Sequence, residues 1–152
     1  MAIQGTYNVL DVCSQIIKYC YDTENYIDNL KLQKLLYFIE ARYLCLNNGK
    51  KACFHEDIFA WTYGPVVPEA YSEYKEYGSA GIIPNKTITQ NKEIISEVDM
   101  GIITSVVNQM IRYSGRQLVS ITHAQRPWLD VYKEGQRGTI ISKESIYDYF
   151  SV

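Results

Sequence analysis

The chain has 152 residues and a formal net charge of −2, from 15 Lys and Arg against 17 Asp and Glu. A chain of this length forms one domain that removes about two thirds of its unfolded surface from water. Its small net charge gives no general attraction for a phosphate backbone or an anionic membrane, so we expect neither a nucleic acid nor a membrane as a partner.

The cysteines and the N-terminus indicate a reduced, soluble protein. None of the four cysteines forms a CxxC pair, and we expect buried free thiols of the kind found in the cytoplasm. Two isolated histidines, His55 and His123, offer no recognised metal-ligand spacing, so we expect no metal and no other cofactor. The N-terminus has no basic region followed by an apolar run, and no apolar stretch approaches membrane-spanning length. The prediction is a soluble, cytoplasmic protein with a single domain over residues 1–152.

Two helices are predicted in the first third of the chain. Asn8 can cap a helix that runs to about Asp22, because apolar residues recur after it at steps of three and four. Asn29 stands where a second cap belongs, and residues 30–46 then place apolar side chains on two sides of a helical wheel. A helix that is apolar on two sides is usually central and packed between neighbours.

Polar residues separate the two apolar sides of this second helix. Gln33 and Glu40 lie on one flank, and Lys31, Lys34 and Arg42 lie on the other. We interpret the three cations as a solvated strip between two buried faces, with an anion-binding site as the alternative.

The periodicity of apolar residues changes in the middle of the chain. Residues 58–62 alternate in the manner of a short strand, and Gly64 with Pro65 predicts a turn. Pro68 suits the first turn of a short helix. Residues 79–92 show no helical period and are predicted to form the longest loop.

The last third is predicted to be helical with one more strand. A broad apolar face predicts a helix over residues 94–113, and residues 114–117 fit a capping box that opens a short helix. Residues 122–125 fit a second such box. Residues 139–141 are typical of a short strand, and Ser142 can cap a final helix.

These elements predict a mainly α fold: a single helical domain of about six helices with a small two-stranded β clip. The clip pairs residues 58–62 with residues 139–141, because a lone strand leaves its backbone groups unpaired.

No motif for catalysis stands out. The chain has no Gly-rich phosphate loop, no GxSxG elbow and no HExxH helix. His123 is the most distinctive titratable residue. One interpretation is the base of a His123-dependent hydrolase; the one we favour is a structural histidine that bonds backbone across a tight turn. A thiol nucleophile, Cys13 or Cys45, paired with His123 is a further alternative, although both lie in apolar helix patterns where thiols are normally inert. We therefore expect a protein that is not an enzyme.

Tyrosine is unusually frequent, with 14 residues against four phenylalanines. Tyrosine combines a large contact area with few rotamers to freeze, which suits protein recognition surfaces. We expect four tyrosines to fill the core and four others to be better surface candidates. The core set is Tyr37, Tyr43, Tyr63 and Tyr71, and the surface set is Tyr74, Tyr77, Tyr147 and Tyr149.

Three motifs resemble the Panacea domain. They are residues 32–38 (LQKLLYF), residues 60–68 (AWTYGPVVP) with Tyr71, and residues 122–128 (THAQRPW), and the resemblance covers residues 8–150. It implies a non-enzymatic antitoxin that binds and neutralises an unrelated toxin protein, and some members act as adaptors that deliver the toxin to an ATP-dependent protease. The family also occurs in phage-associated proteins, so an inhibitor of a host defence protein is an alternative. The chain has no room before Asn8 for the DNA-binding domain that many relatives carry, and direct operator binding is not expected.

The resemblance also directs attention to one surface. The family's motif positions map onto Gln33, Lys34, Leu35, Leu36 and Tyr37, onto Trp61, Gly64, Pro65 and Tyr71, and onto His123, Pro127 and Trp128. We expect His123 and Trp128 to lie near the turn that follows Trp61. The candidate partner-binding residues are Trp61, Tyr63, Gly64, Pro65, Tyr71, Tyr74, His123 and Trp128.

Overall fold

The computed structural model describes residues 2–84 and 94–152 of the chain. The elements in these ranges, in chain order, are β1 (Gln4–Tyr7), α1 (Val9–Asp22), α2 (Asn29–Leu46), β2 (Lys51–Phe54), β3 (Ile58–Trp61), β4 (Gly64–Val66), α3 (Pro68–Tyr74) continued by a 3-10 turn (Lys75–Tyr77), α4 (Glu97–Met110), α5 (Gly115–His123), α6 (Arg126–Leu129), β5 (Ile140–Ile141) and α7 (Lys143–Phe150). The mainly α class is confirmed, with seven α-helices in the described ranges where about six were expected.

The helix caps follow the local sequence closely. The side chain of Asn8 accepts a hydrogen bond from the backbone N–H of Leu10, Ser114 and Gln117 form the predicted capping box, and Ser142 caps α7. Two cap predictions were wrong. Asp28 rather than Asn29 caps α2, and residues 122–125 form no second box, because the buried hydroxyl of Thr122 bonds back to carbonyls within α5.

The helix observed here is shorter than the one that the apolar pattern predicted over residues 94–113. α4 begins after Ser96, whose side chain accepts from the N–H of Asp99, and it ends at Met110. The predicted loop over residues 79–92 is described only to residue 84, and up to that point it contains neither helix nor strand. Residues 85–92 of that prediction lie outside the described residues.

Five strands form two small sheets in the described ranges. The predicted clip is confirmed, because β3 and β5 pair antiparallel with Ile58 opposite Ile141. β4 adds a third strand on the other side of β3, so Gly64 and Pro65 lie in a strand and not in a turn; residues 62–63 make the turn instead. β1 and β2 form a separate parallel pair that was not predicted. Each of these two strands has four residues, too few to show alternation.

α2 is the centre of the molecule, as its two apolar sides predicted. It contacts α1, α3, α4, α5 and α7 as well as β2 and β4. The stripe that begins at Leu32 is buried through Tyr43, and the opposite apolar side is buried at Tyr37 and Leu44. Leu46, which the wheel places on the first stripe, is exposed because it is the last residue of the helix.

The polar residues of α2 are buried too, which contradicts the predicted solvated strip. Lys34, Gln33 and Glu40 are each at most 1% exposed, Lys31 is half-buried, and only Arg42 is exposed. The two short sheets explain why these polar side chains are buried. Each sheet presents an edge strand to α2, and buried backbone groups on such an edge need polar partners.

Side chains of α2 supply these partners at both edges. At β2, Glu40 accepts hydrogen bonds from the N–H groups of Cys53 and Phe54, and Lys143 of α7 bonds both Glu40 and the Phe54 carbonyl. At β4, the partners are Gln33 and Lys34, described below. α2 therefore joins the two sheets through polar contacts as well as apolar packing.

In the parts of the chain that the structure describes, no helix combines the length and the apolar character needed to cross a membrane.

Candidate functional site

The hairpin of β3 and β4 frames the candidate site. Trp61 pairs with Gly64 across it, and the turn between them carries Tyr63, which is 66% exposed. The expectation that Tyr63 fills the core was therefore wrong. Gly64 has a φ of +109°, and a Cβ there would lie 2.8 Å from both Lys34 Cε and Thr122 Oγ1. Only glycine allows this backbone angle together with so close an approach.

α5 and α6 hold the turn from one side. The imidazole of His123 donates from Nε2 to the Thr62 carbonyl at 2.9 Å, and the indole N–H of Trp128 donates to the Trp61 carbonyl at 2.8 Å. The His123 ring stacks on Trp128 with centroids 4.0 Å apart, and Trp128 stacks on Tyr132 at 4.4 Å. The predicted proximity of His123 and Trp128 to the turn is confirmed. The ring of His123 bonds backbone in the way that the structural interpretation expected.

α2 holds the second strand of the hairpin from beneath. Lys34 Nζ donates to the Pro65 carbonyl at 2.9 Å, and the side-chain oxygen of Gln33 accepts from the N–H of Val67 at 2.9 Å. Gln33 in turn donates to Asn29, whose amide donates to the Tyr71 carbonyl in the middle of α3. These bonds occupy the outer edge of β4 and leave it closed to a further strand.

Lys34 is the most perturbed cation of the site. Its side chain is fully buried, and burial lowers the pKa of its amine from 10.5 to about 7, because the charged form loses its hydration. No carboxylate of the described residues forms an ion pair with it. Sequence analysis missed this role. The signal was present, since Lys34 stands between Gln33 and Leu35 in a helix that is apolar on two sides.

A pocket of about 530 Å³ opens beside the hairpin, between β3, the start of α2 and the end of α3. Its aromatic wall comes from Trp61, Tyr63 and Tyr71, and the Trp61 and Tyr71 rings meet edge to face at 5.3 Å. Arg137 covers the Trp61 ring at 4.3 Å and accepts the indole N–H at its backbone carbonyl. The remaining lining residues are Asp28, Asn29, Leu30, Gln33, Thr62, Val66, Lys75, Gly78 and Ser79.

The structure brings most of the predicted site residues together. Trp61, Tyr63 and Tyr71 line the pocket, Gly64 and Pro65 are buried in β4 behind it, and His123 and Trp128 support the turn. The surface-accessible part is thus the aromatic wall, while the buried members form its support. Tyr74 lies elsewhere.

Tyr74 packs against α1 and does not line the pocket. Burial raises the pKa of its phenol, and α3, which carries Tyr74, contacts α1. Among the other tyrosines, Tyr37 and Tyr43 are buried as predicted, Tyr71 is half-buried, and Tyr149 is exposed as predicted, whereas Tyr77 and Tyr147 are half-buried.

The four cysteines are free, and three of them are buried: Cys13, Cys20 and Cys53. Burial raises the pKa of all three thiols, that of Cys20 to about 11, and holds them in the unreactive protonated form. Across residues 2–84 and 94–152, no three His, Cys, Asp or Glu side chains are grouped so that they could hold a metal ion.

Comparison with known proteins identified a family and a curated relative. A family model described as "Antitoxin SocA-like, Panacea domain" matches residues 32–129, which include most of α2, the hairpin, and α5 and α6. The protein "Antitoxin SocA" of Caulobacter vibrioides (strain NA1000 / CB15N) is 37% identical over 123 residues. The aligned part is 72% of this chain and 61% of that protein, so the chain spans less than two thirds of the relative's length. No solved structure matches the chain.

Proposed function

Because this chain belongs to the SocA-like Panacea family, as its three motifs predicted, we propose that it is an antitoxin that binds and neutralises a partner toxin protein. The family match carries this proposal, because it covers the hairpin, α5, α6 and all of α2 except its first three residues. A protein of this kind acts by occupying a surface of its partner, and it needs a rigid contact surface and no reacting groups.

The geometry of the hairpin supports a contact role. Bonds from α2, α5 and α6 fix the backbone of the hairpin at Trp61, Thr62 and Pro65. An aromatic surface that is already rigid loses little conformational entropy on binding, which favours affinity. Tyrosine and tryptophan are also the residues that most often dominate binding energy at protein interfaces.

The role of His123 favours the same conclusion over a hydrolase. Its Nε2 donates to a backbone carbonyl, and its ring is stacked face to face on Trp128. A catalytic base needs a free nitrogen within hydrogen-bond reach of a nucleophile or a substrate. The observed bond uses Nε2 to hold the turn, and among the described residues no hydroxyl or thiol is hydrogen-bonded to the other ring nitrogen, Nδ1, so His123 is not paired with a nucleophile.

Coexpression with the product of the neighbouring gene tests the proposal. We expect the chain to copurify with that product and to restore growth that the product inhibits. Tyr63→Ala should weaken copurification by about tenfold or more, as expected for an exposed aromatic anchor, and the matched change Tyr149→Ala on α7 should not. If neither copurification nor growth rescue occurs, the antitoxin proposal is wrong.

A pulse-chase measurement on the coexpressing cells separates two ways of neutralising a toxin. Delivery to an ATP-dependent protease shortens the half-life of the toxin, whereas simple occlusion does not. Capture of a host defence component in place of the neighbouring gene product favours the alternative of a phage-associated inhibitor.

A further inference from the structure

We propose that the pocket beside the hairpin takes an extended peptide segment of the toxin in which an apolar or aromatic side chain stands next to a carboxylate. The inference rests on the proposed function, since it names the chemistry of the partner at the same site. It follows from the shape, the aromatic wall and the charge of the pocket.

The size and the wall of the pocket fit side chains of a peptide. Its volume of about 530 Å³ lies in the range of specific ligand sites. Trp61, Tyr63 and Tyr71 form the wall, with Leu30 and Val66 among the other lining residues. Tyr63 is 66% exposed at the mouth, so the pocket continues onto the protein surface and can receive one part of a longer chain.

The charge of the pocket favours a carboxylate. Lys75 and Arg137 line it, and among the described residues neither forms an ion pair with an acidic side chain. Asp28 is the acidic residue of the lining, and its carboxylate already accepts the N–H of Lys31 as the cap of α2. The pocket is therefore locally positive in a chain whose net charge is −2.

Arg137 is held where it can meet such a carboxylate. Its guanidinium lies 4.3 Å from the centre of the Trp61 ring, and its backbone carbonyl accepts the Trp61 indole N–H at 3.0 Å. An apolar side chain against the aromatic wall then brings a neighbouring carboxylate to the guanidinium, which can bind it through two parallel hydrogen bonds. The family match ends at residue 129, so the pocket combines matched residues with an arginine outside the match.

Side-chain capture fits the site better than strand addition. The outer edge of β4 is already bonded to Lys34 and Gln33 of α2. A peptide at the pocket thus lacks free backbone partners on that edge, and its recognition depends on the side chains it inserts.

The test uses overlapping synthetic 15-residue peptides that together cover the sequence of the neighbouring gene product. Fluorescence anisotropy measures the binding of each peptide to the chain. We expect the peptides that bind to carry an apolar or aromatic residue within two positions of an Asp or Glu. Replacing that acid by its amide should weaken binding to the wild-type chain by about tenfold, the effect of losing one charge-assisted bond. The same replacement should have little effect on binding to Arg137→Gln, because that variant has already lost the contact.

The matched control is Arg42→Gln. Arg42 is an exposed arginine that lies 13 residues along α2 from Asn29, about 20 Å away along the helix axis. This variant should bind the peptides like the wild type. Arg137 itself is exposed and its bond to Trp61 comes from the backbone, so Arg137→Gln is expected to fold.

The outcomes separate the two proposals. If the whole toxin copurifies equally with wild type and Arg137→Gln, or if binding peptides need no acid, the pocket proposal is overturned and the antitoxin proposal stands. If no form of the chain captures the neighbouring gene product, both proposals are overturned.

Discussion

The bond between Lys34 and the hairpin predicts a stability that depends on pH. The folded chain holds the amine at a pKa of about 7, while in the unfolded chain it returns to 10.5. Between these values the unfolded chain binds more protons than the folded chain, so the free energy of unfolding rises with pH. With these two pKa values, the linkage relation gives a gain of about 1 kcal/mol from pH 7 to pH 8 and a nearly flat curve below pH 6.

The buried thiols have the opposite effect on the free energy of unfolding at higher pH. Burial raises their pKa, so above about pH 8.5 the unfolded thiols lose protons that the folded ones keep, and stability falls. The window from pH 7 to pH 8 therefore isolates Lys34 best.

The measurement is urea unfolding at several pH values, monitored by the fluorescence of Trp61 and Trp128. Lys34→Met removes the titrating amine and leaves the Pro65 carbonyl without its donor, which costs about 1–3 kcal/mol at every pH. Its free energy of unfolding should lack the wild-type gain of about 1 kcal/mol between pH 7 and pH 8. Lys50→Met, the same change at an exposed lysine, should keep that gain. Equal gains in wild type and Lys34→Met would refute the reasoning, because the gain would then arise from another group.

Two further substitutions test the contacts that set the fold. Glu40→Ala removes the acceptor of two β2 amides and leaves Lys143 without its carboxylate in the core. The free energy of unfolding in urea should therefore fall by about 3–5 kcal/mol. The control Glu134→Ala, at an exposed glutamate, should lower it by less than about 0.5 kcal/mol. A loss below about 1 kcal/mol for Glu40→Ala would contradict the assigned network. Gly64→Ala places a Cβ within 2.8 Å of two side chains at a φ of +109°, and should destabilise the chain by more than about 1 kcal/mol. Gly101→Ala in α4, where a Cβ meets nothing within 4 Å, should instead stabilise it by about 0.5–1 kcal/mol, and equal effects at the two glycines would argue against a special hairpin geometry.

Helix positions could be predicted where the deciding contacts are local. The caps at Asn8, Ser114 and Ser142 involve residues two or three positions away, and the apolar period of α2 is a property of the helix itself. The cap of α2 was misplaced by one residue because Asp28 and Asn29 are both good caps. The side chain of Asn29 is used by Tyr71, which lies 42 positions further along the chain.

The sequence predicted several residues of the candidate site, but it did not predict the long-range contacts that assemble the site. Trp61, His123 and Trp128 were expected near one turn, and they lie there. The roles of Lys34 and Arg137 were missed, since both depend on distant partners. Lys34 meets a carbonyl 31 positions away, and Arg137 reaches the Trp61 ring across 76 positions.

The sequence by itself determined the fold class, the central place of α2, the β clip and the family, because periodicity, caps and motifs are encoded in neighbouring residues. Only the tertiary structure decided that Gln33, Lys34 and Glu40 are buried. Short strands from elsewhere in the chain bring unpaired backbone groups to α2, and a polar side chain enters the core when it satisfies such groups. The tertiary structure also made the pocket, by placing Arg137 over the aromatic wall of the hairpin.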